Sequence, residues 1–331
     1  MNWYRNIAEQ GDICLSTRVR LARNITQYPF PARLSAEQKK EVGEVVKEIL
    51  KNEELKFIDM ASLSPAETVS LAEKHLISPE FACDTKGRSL MLSEDEDVSI
   101  MICEEDHIRI QTILPGLSLD EAFKQAEKYD KILGSNLSYA FHDQLGYLTQ
   151  CPTNIGTALR ASVMLHLPAL SQKGAIHRLS TTVAKLGLTL RGSYGEGSEV
   201  SGDIYQLSNQ VTLGISEEAA IKNLNSIAMQ IITQEKQTRA ALVKDDDYLD
   251  RISRAYGILR SAHKLTTNEL IKLISFVRVG VSEGILSIPA EKLKELTVTL
   301  QPATLNTAAG KTLSQSERDV LRAQKVKEEL M

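Results

Sequence analysis

The sequence predicts an α+β protein, a central antiparallel sheet flanked by helices with an all-helical region towards the C-terminal end. Three observations predict it: strand-like runs crowd the middle of the chain, helix-start signatures surround them, and the strand pattern stops near residue 244.

The first element is Ser16-Thr17-Arg18-Val19-Arg20-Leu21-Ala22-Arg23, whose alternation reads as an extended segment with Arg18 and Arg20 on one face. Ser followed three residues on by Gln or Glu marks helix starts at Ser35/Gln38, Ser64/Glu67, Ser118/Glu121 and Ser314/Glu317. Runs at 89–92, 98–103 and 108–113 read as strands, and the short acidic links between them favour antiparallel pairing. Further strands are expected at 187–193 and 203–214, and helices at 156–171, 176–186 and 217–243. After Asp245-Asp246-Asp247, helix patterns recur at 248–263, 267–279, 289–296 and 315–330, with 297–313 read as an ordered connector. A boundary near 244 divides a sheet-bearing domain over 1–244 from a helical domain over 245–331.

Composition bounds the function. A chain of 331 residues suits about two domains of ~150 residues. Lys plus Arg number 39 against 43 Asp plus Glu, a balance of −4 that argues against direct nucleic-acid binding, so phosphate chemistry must come from local arginine clusters. No apolar run is long enough for a membrane span, and the opening residues lack a signal-peptide core; the cytoplasm is the expected compartment. Cys14, Cys83, Cys103 and Cys151 fit neither a disulfide framework nor a zinc site, and the first three are expected to pack as small apolar groups. Gly310-Lys311-Thr312 imitates a phosphate loop, but the glycine that motif needs five residues earlier is Leu305.

Four segments carry chemistry. Arg18 and Arg20 offer two guanidinium forks suited to a polyphosphate, the alternative being a solvated strand edge. Glu104-Glu105-Asp106-His107 sets carboxylates beside Arg109 where a cation would rest, unless it is a plain acidic turn. Cys151-Pro152-Thr153-Asn154 reads as a turn feeding a helix that carries Arg160 and Ser162. Its dipole would favour anions and a lowered thiol pKa, the alternative being Asn154 as a plain N-cap beside a buried thiol. Arg191-Gly192-Ser193-Tyr194-Gly195-Glu196 is a glycine-rich loop with Arg191 at its base and Glu196 at its tip, or a plain hairpin.

Together the motifs Ser-Thr-Arg-Val-Arg, Glu-Glu-Asp-His, Cys-Pro-Thr-Asn-Ile-Gly-Thr and Arg-Gly-Ser-Tyr-Gly-Glu, in this order, resemble the guanidino-phosphotransferase (phosphagen kinase) family. The resemblance implies a catalytic domain similar to that of glutamine synthetase, using ATP and Mg2+. By position, Ser16, Arg18, Arg20, Arg109, Arg160, Ser162, Arg191 and Tyr194 would form the nucleotide site. Glu105 and Glu196 would bracket a guanidinium, Cys151 would contact one of its nitrogens, and Glu104 would orient magnesium through water.

The family's small-guanidine enzymes carry a helical domain before the first arginine motif; with Arg18 reached so early, that domain is expected to be lacking here, and a helical region is expected after 244 instead. With Tyr194 and the segment Arg318-Asp319-Val320-Leu321-Arg322-Ala323, this resembles the family's bacterial protein-arginine kinases. In those, Arg318, Asp319, Arg322 and Ala323 would bind phosphoarginine allosterically, the alternative being an ordinary amphipathic helix. The implied acceptor is arginine in proteins, including a heat-shock repressor and unfolded chains, marked for regulation or Clp-dependent degradation in a stress response. Implied partners are a zinc-binding activator, a Clp protease and a second copy through the helical domain. A kinase for free arginine or another small guanidine, and an inactive adaptor binding nucleotide and phosphoarginine, remain open alternatives.

Overall fold

Strict alternation of apolar and polar residues builds the sheet and decides which face is covered. The computed structural model describes residues 2–192, 200 and 202–330. Its strands are β1 (Cys14–Arg23), β2 (Leu55–Asp59), β3 (Ser89–Ser93), β4 (Val98–Ile102), β5 (Ile108–Pro115), β6 (Phe141–His142), β7 (Gly146–Tyr147), β8 (Leu159–His166), β9 (Leu188–Gly192) and β10 (Ile204–Asn209). Eight form one antiparallel sheet in the order β2-β3-β4-β5-β1-β8-β10-β9, and β6-β7 is a separate hairpin.

Val19, Leu21, Ile108, Ile110, Leu159, Ala161, Val163 and Leu207 point to one face, where they are buried. The helices Leu119–Gly134 and Glu217–Leu242 cover that face with Ala122, Ala126, Leu133, Leu224, Ala228 and Ile231. Arg23 also falls on this face and is fully buried, paired with Asp130 at 2.7 Å and Glu217 at 3.2 Å, one from each helix. Its guanidinium stacks on Tyr147, 3.6 Å from the ring centroid. On β1, β5, β8, β9 and β10 the opposite face is largely polar and forms a cleft, while on β3 and β4 Leu90 and Met101 are covered there by Met60, Ile77 and Phe81.

The C-terminal helices have their own core, including Leu259, Leu270, Val277, Leu293 and Val326. They dock on the sheet-bearing part at named contacts. The Glu73 carboxylate accepts the Ala303 and Thr304 N–H groups at 2.9 and 2.7 Å, supplying acceptors to the first turn of helix Pro302–Ala309. Lys294 donates to the Trp3 and Asn6 carbonyls.

Several expectations need correction. The segment expected as a helix over 156–171 is strand β8 followed by the short helix Pro168–Gln172. Leu159, Ala161, Val163 and Leu165 alternate with Arg160, Ser162 and Met164, and pairing with both β1 and β10 satisfies the backbone of an extended chain. Residues 152–154 form only one 3-10 turn, so no helix dipole acts on Cys151. The connector 297–313 contains the helix Pro302–Ala309, with Pro at its first position. Strand β10 stops at Asn209 rather than 214, because the Asn209 side chain takes the Ala161 N–H and donates to the Leu159 and Val211 carbonyls, displacing further ladder bonds. Cys83 is exposed at the end of helix Pro79–Cys83, not packed. Ser118 starts a helix without capping it: its hydroxyl donates to the Pro115 carbonyl. The boxes at Ser35, Ser64 and Ser314 are reciprocal as expected.

Candidate active site

The strand register gathers the arginines. Residues directly opposite in an antiparallel pair share a face, and Arg20 pairs with Arg160, Arg18 with Ser162, Ala22 with Arg109, and Gln206 with both Met164 and Arg191. Arg18 and Arg20 on β1, Arg109 on β5, Arg160 on β8 and Arg191 on β9 therefore project from four strands into one cleft. A cavity of about 880 Å3 opens there, lined by Arg20, Arg160, Arg191, His75, Met164 and Gln206 among others. Ser16 and Ser162 lie buried on the same face, below Arg18, His75 and Met164.

The Arg160 and Arg18 guanidinium groups are aimed by uncharged neighbours. Arg160 donates from Nε to Asn154 Oδ1 at 2.9 Å, and from its terminal nitrogens to the Asn209 and Thr153 carbonyls. Arg18 donates to Gln206 Oε1 at 3.1 Å. Burial, reinforced by Arg18, Arg109 and Arg160, pushes the Arg20 pKa well below its usual value, and Arg20 Nε is buried without an acceptor. A guanidinium does not release its proton under ordinary conditions, so an anion in the cleft would relieve this crowding.

Among the described residues, carboxylates line the cleft only at one end. Arg109 binds Glu104 at 2.8 Å and Glu105 at 3.1 Å. Both Glu104 oxygens are engaged: Oε1 accepts from Ser78, and Oε2 from Arg109 and the Glu105 N–H. Glu105 is half-exposed; burial raises its pKa, and Arg109 opposes the rise. Asp106 and His107 serve the fold rather than the cleft. Asp106 accepts from Asn24 and the Gln150 N–H, while His107 Nδ1 accepts the Ile25 N–H and its Nε2 lies 3.0 Å from the Pro29 carbonyl.

Cys151 is half-buried, with Sγ 3.1 Å from the Thr153 hydroxyl, itself within reach of Arg160. Glu196 and Tyr194 lie outside the described residues; the strand that leads to them ends at Arg191 and Gly192, on the cavity wall. Arg318, Asp319, Arg322 and Ala323 are far along the chain on helix Gln315–Leu330 and do not line this cleft. Sequence reasoning missed His75, Asn154, Gln206 and Gln150. His75 lines the large cavity at φ 62, and burial, with Arg18 adding repulsion, lowers its pKa to about 4, which keeps a flat neutral ring there. Gln206 was legible by period two along β10; His75 had no sequence signal beyond its type.

Among the described residues, no three His, Cys, Asp or Glu side chains gather to hold a metal. The arginine face fits a polyphosphate, and a divalent cation would ride mainly on phosphate oxygens and water.

An arginine-lined antiparallel sheet with no phosphate loop defines a phosphotransferase of the guanidino type. Residues 37–238 match the family model described as ATP:guanido phosphotransferase, C-terminal catalytic domain, and residues 245–331 match that of the protein-arginine kinase McsB C-terminal domain. A protein-arginine kinase of Caldanaerobacter subterraneus is 45% identical, covering 96% of this chain and 97% of its own length. One from Clostridium tetani is 43% identical, over 99% and 98%. The duplicated taurocyamine kinase of Schistosoma mansoni, solved with transition-state-analogue components, aligns with a TM-score of 0.62 at 26% identity, over 79% of this chain and 39% of that one. Lombricine kinase shares the fold at a TM-score of 0.61 and 23% identity, over 72% and 71%. The chain belongs to the ATP:guanido phosphotransferase family, among its protein-arginine kinases. Among the described residues no helix is long and apolar enough to cross a membrane.

Proposed function

We propose that the chain transfers the γ-phosphoryl group of ATP to a guanidino nitrogen of arginine side chains in proteins. The observation that carries this reading is the register aligning Arg18, Arg20, Arg109, Arg160 and Arg191 on one open face, with Glu105 at its acidic end.

A guanidinium has a pKa above ~12 and an ordinary Glu one near ~4.3. Even with the upward shift at Glu105, no carboxylate here deprotonates the nucleophile beforehand. Proton loss accompanies P–N bond formation. Catalysis then rests on alignment and charge compensation. Glu105, and Glu196 by family position, pair with guanidinium N–H groups and turn one nitrogen towards phosphorus. Cys151 orients a further N–H. The arginines hold the triphosphate, with Ser16, Ser162 and Tyr194 completing the nucleotide site, and His75 and Met164 offer surfaces for the base. Mg2+ supplies further neutralisation of phosphate charge when bound. Glu104 holds Arg109 directly and would orient Mg2+ through water.

We place catalysis in 1–244 and control in 245–331, where Arg318, Asp319, Arg322 and Ala323 form a phosphoarginine site. Family membership supports the wider setting: a heat-shock repressor and unfolded proteins as substrates, a zinc-binding activator, a Clp protease that removes marked proteins, a homodimer, and a cytoplasmic stress response. The test is mass spectrometry of an ATP-treated protein at neutral pH, which preserves the acid-labile P–N bond. Phosphoarginine on protein is expected; transfer to free arginine alone would reassign the acceptor, and none to either would leave a binding adaptor.

A further inference from the structure

Beyond Arg109 the cleft continues into a second cavity of about 590 Å3, walled by Glu104, Glu105, Arg109, Gln150, Asp84 and Glu80 among others. It is roomier than one arginine side chain requires. At and behind this wall two acceptors and one donor, Arg88 Nε, are buried without partners. Gln150 Oε1 is buried without a partner, and so is Oδ2 of the fully buried Asp106, whose Oδ1 takes the Gln150 N–H.

The charges of the wall are unevenly matched. Glu104 and Glu105 share Arg109. Asp84 sits 3.9 Å from Lys39 and 3.5 Å from Arg88. Glu80 differs: on helix Pro79–Cys83 it is exposed at the cavity, and its carboxylate has no ion-pair partner among the described residues. The Arg88 guanidinium binds the Glu80 backbone carbonyl at 2.9 Å, not its side chain, fixing where the carboxylate emerges.

We propose that this cavity receives the acceptor segment, and that Glu80 selects segments carrying a second cation, Lys or Arg, close to the arginine that is phosphorylated. The inference rests on the protein-arginine reading and deepens it. With one guanidinium on Glu105, Glu80 is the carboxylate of the described wall without an ion-pair partner, so a neighbouring cation is drawn to it. Because Glu80 is exposed, the preference is modest, about two- to fivefold in kcat/KM, and fades as salt rises.

The experiment compares two peptides that differ only beside a single arginine, one with Lys and one with Gln, phosphorylated by the full chain at low ionic strength. The readout is the ratio of kcat/KM values within each protein preparation, so loss of folded enzyme cancels. Wild type is expected to favour the Lys peptide, Glu80→Gln to bring the ratio to about one, and Glu80→Lys to favour the Gln peptide. An unchanged ratio in Glu80→Gln, or no preference in wild type, overturns the proposal while the kinase reading stands. No phosphoarginine on either peptide or on any protein overturns both.

Discussion

Arg20 and Arg160 stand directly opposite each other on β1 and β8, two cations in register on the open face of the sheet. Such a pair opposes folding, and the buried Arg20 Nε has no acceptor to offset the cost. An anion supplies what the protein withholds. MgATP should therefore stabilise the fold strongly, by about 2.7 kcal/mol at a hundredfold excess over Kd. Arg20→Gln should leave the ligand-free protein at least as stable while abolishing most of the nucleotide-dependent rise in Tm. A destabilised variant that keeps the full rise would contradict this account.

Glu105 predicts a pH dependence. Burial raises its pKa, so the ionised form that grips a guanidinium is lost at higher pH than for an ordinary carboxylate. The acid limb of kcat/KM should lie above ~4.3, and Glu105→Gln should remove it along with ~100-fold or more of the turnover. Nucleotide binding should persist, since Arg109 retains Glu104. The stability sign is opposite: a raised folded pKa favours folding below the unfolded value, and that contribution disappears as pH rises through the folded one. Relative to wild type, Glu105→Gln should gain stability between acid and neutral pH, measured by thermal melts. Wild-type turnover by the variant would remove Glu105 from the mechanism.

The arginine face was legible because Arg18 and Arg20 alternate with Val19 and Leu21, and Ile108 and Ile110 with Arg109 and Gln111. Period two survives wherever a sheet has one covered face. The same signal runs through Leu159 to Leu165, but Pro152 and Asn154 imitate a helix start, and the short apolar run fits either period. β2 was not foreseen, since this edge strand is only partly buried on both faces. Gln206 aims the Arg18 guanidinium from a strand distant in sequence, a contact no local pattern reports, and Asn154 aims Arg160 across a turn that imitates a helix start.

Cysteine reactivity should separate the site from the core. The Cys14 and Cys103 thiols are buried and pushed up to about 12 by burial. Cys83 is exposed, and Cys151 half-buried beside Thr153. Iodoacetamide at neutral pH should label Cys83 and Cys151 only, as read by peptide mass spectrometry, and nucleotide with an arginine substrate should protect Cys151 but not Cys83. Cys151→Ala should cost less turnover than Glu105→Ala, because a thiol orients and a carboxylate carries charge. Equal losses would reverse that ranking.

Arg318 and Arg322 lie one turn apart on helix Gln315–Leu330, yet their surroundings assign them different work. Arg322 is buried and donates to the Leu300 carbonyl at 2.9 Å, the Leu265 carbonyl at 2.7 Å and Asp319 at 2.6 Å, tying three segments of the helical region together. Removing it strands two carbonyls and a carboxylate, so Arg322→Ala should destabilise this region by about 3–5 kcal/mol. Arg318 is half-exposed, with a bond to the Leu313 carbonyl, and Arg318→Ala should stay within ~0.5 kcal/mol of wild type. Titration calorimetry with phosphoarginine then separates ligand from scaffold: Arg318→Ala should lose binding while melting normally, whereas Arg322→Ala should lose both. An Arg322→Ala protein of wild-type stability would show that its three hydrogen bonds do not hold the region together.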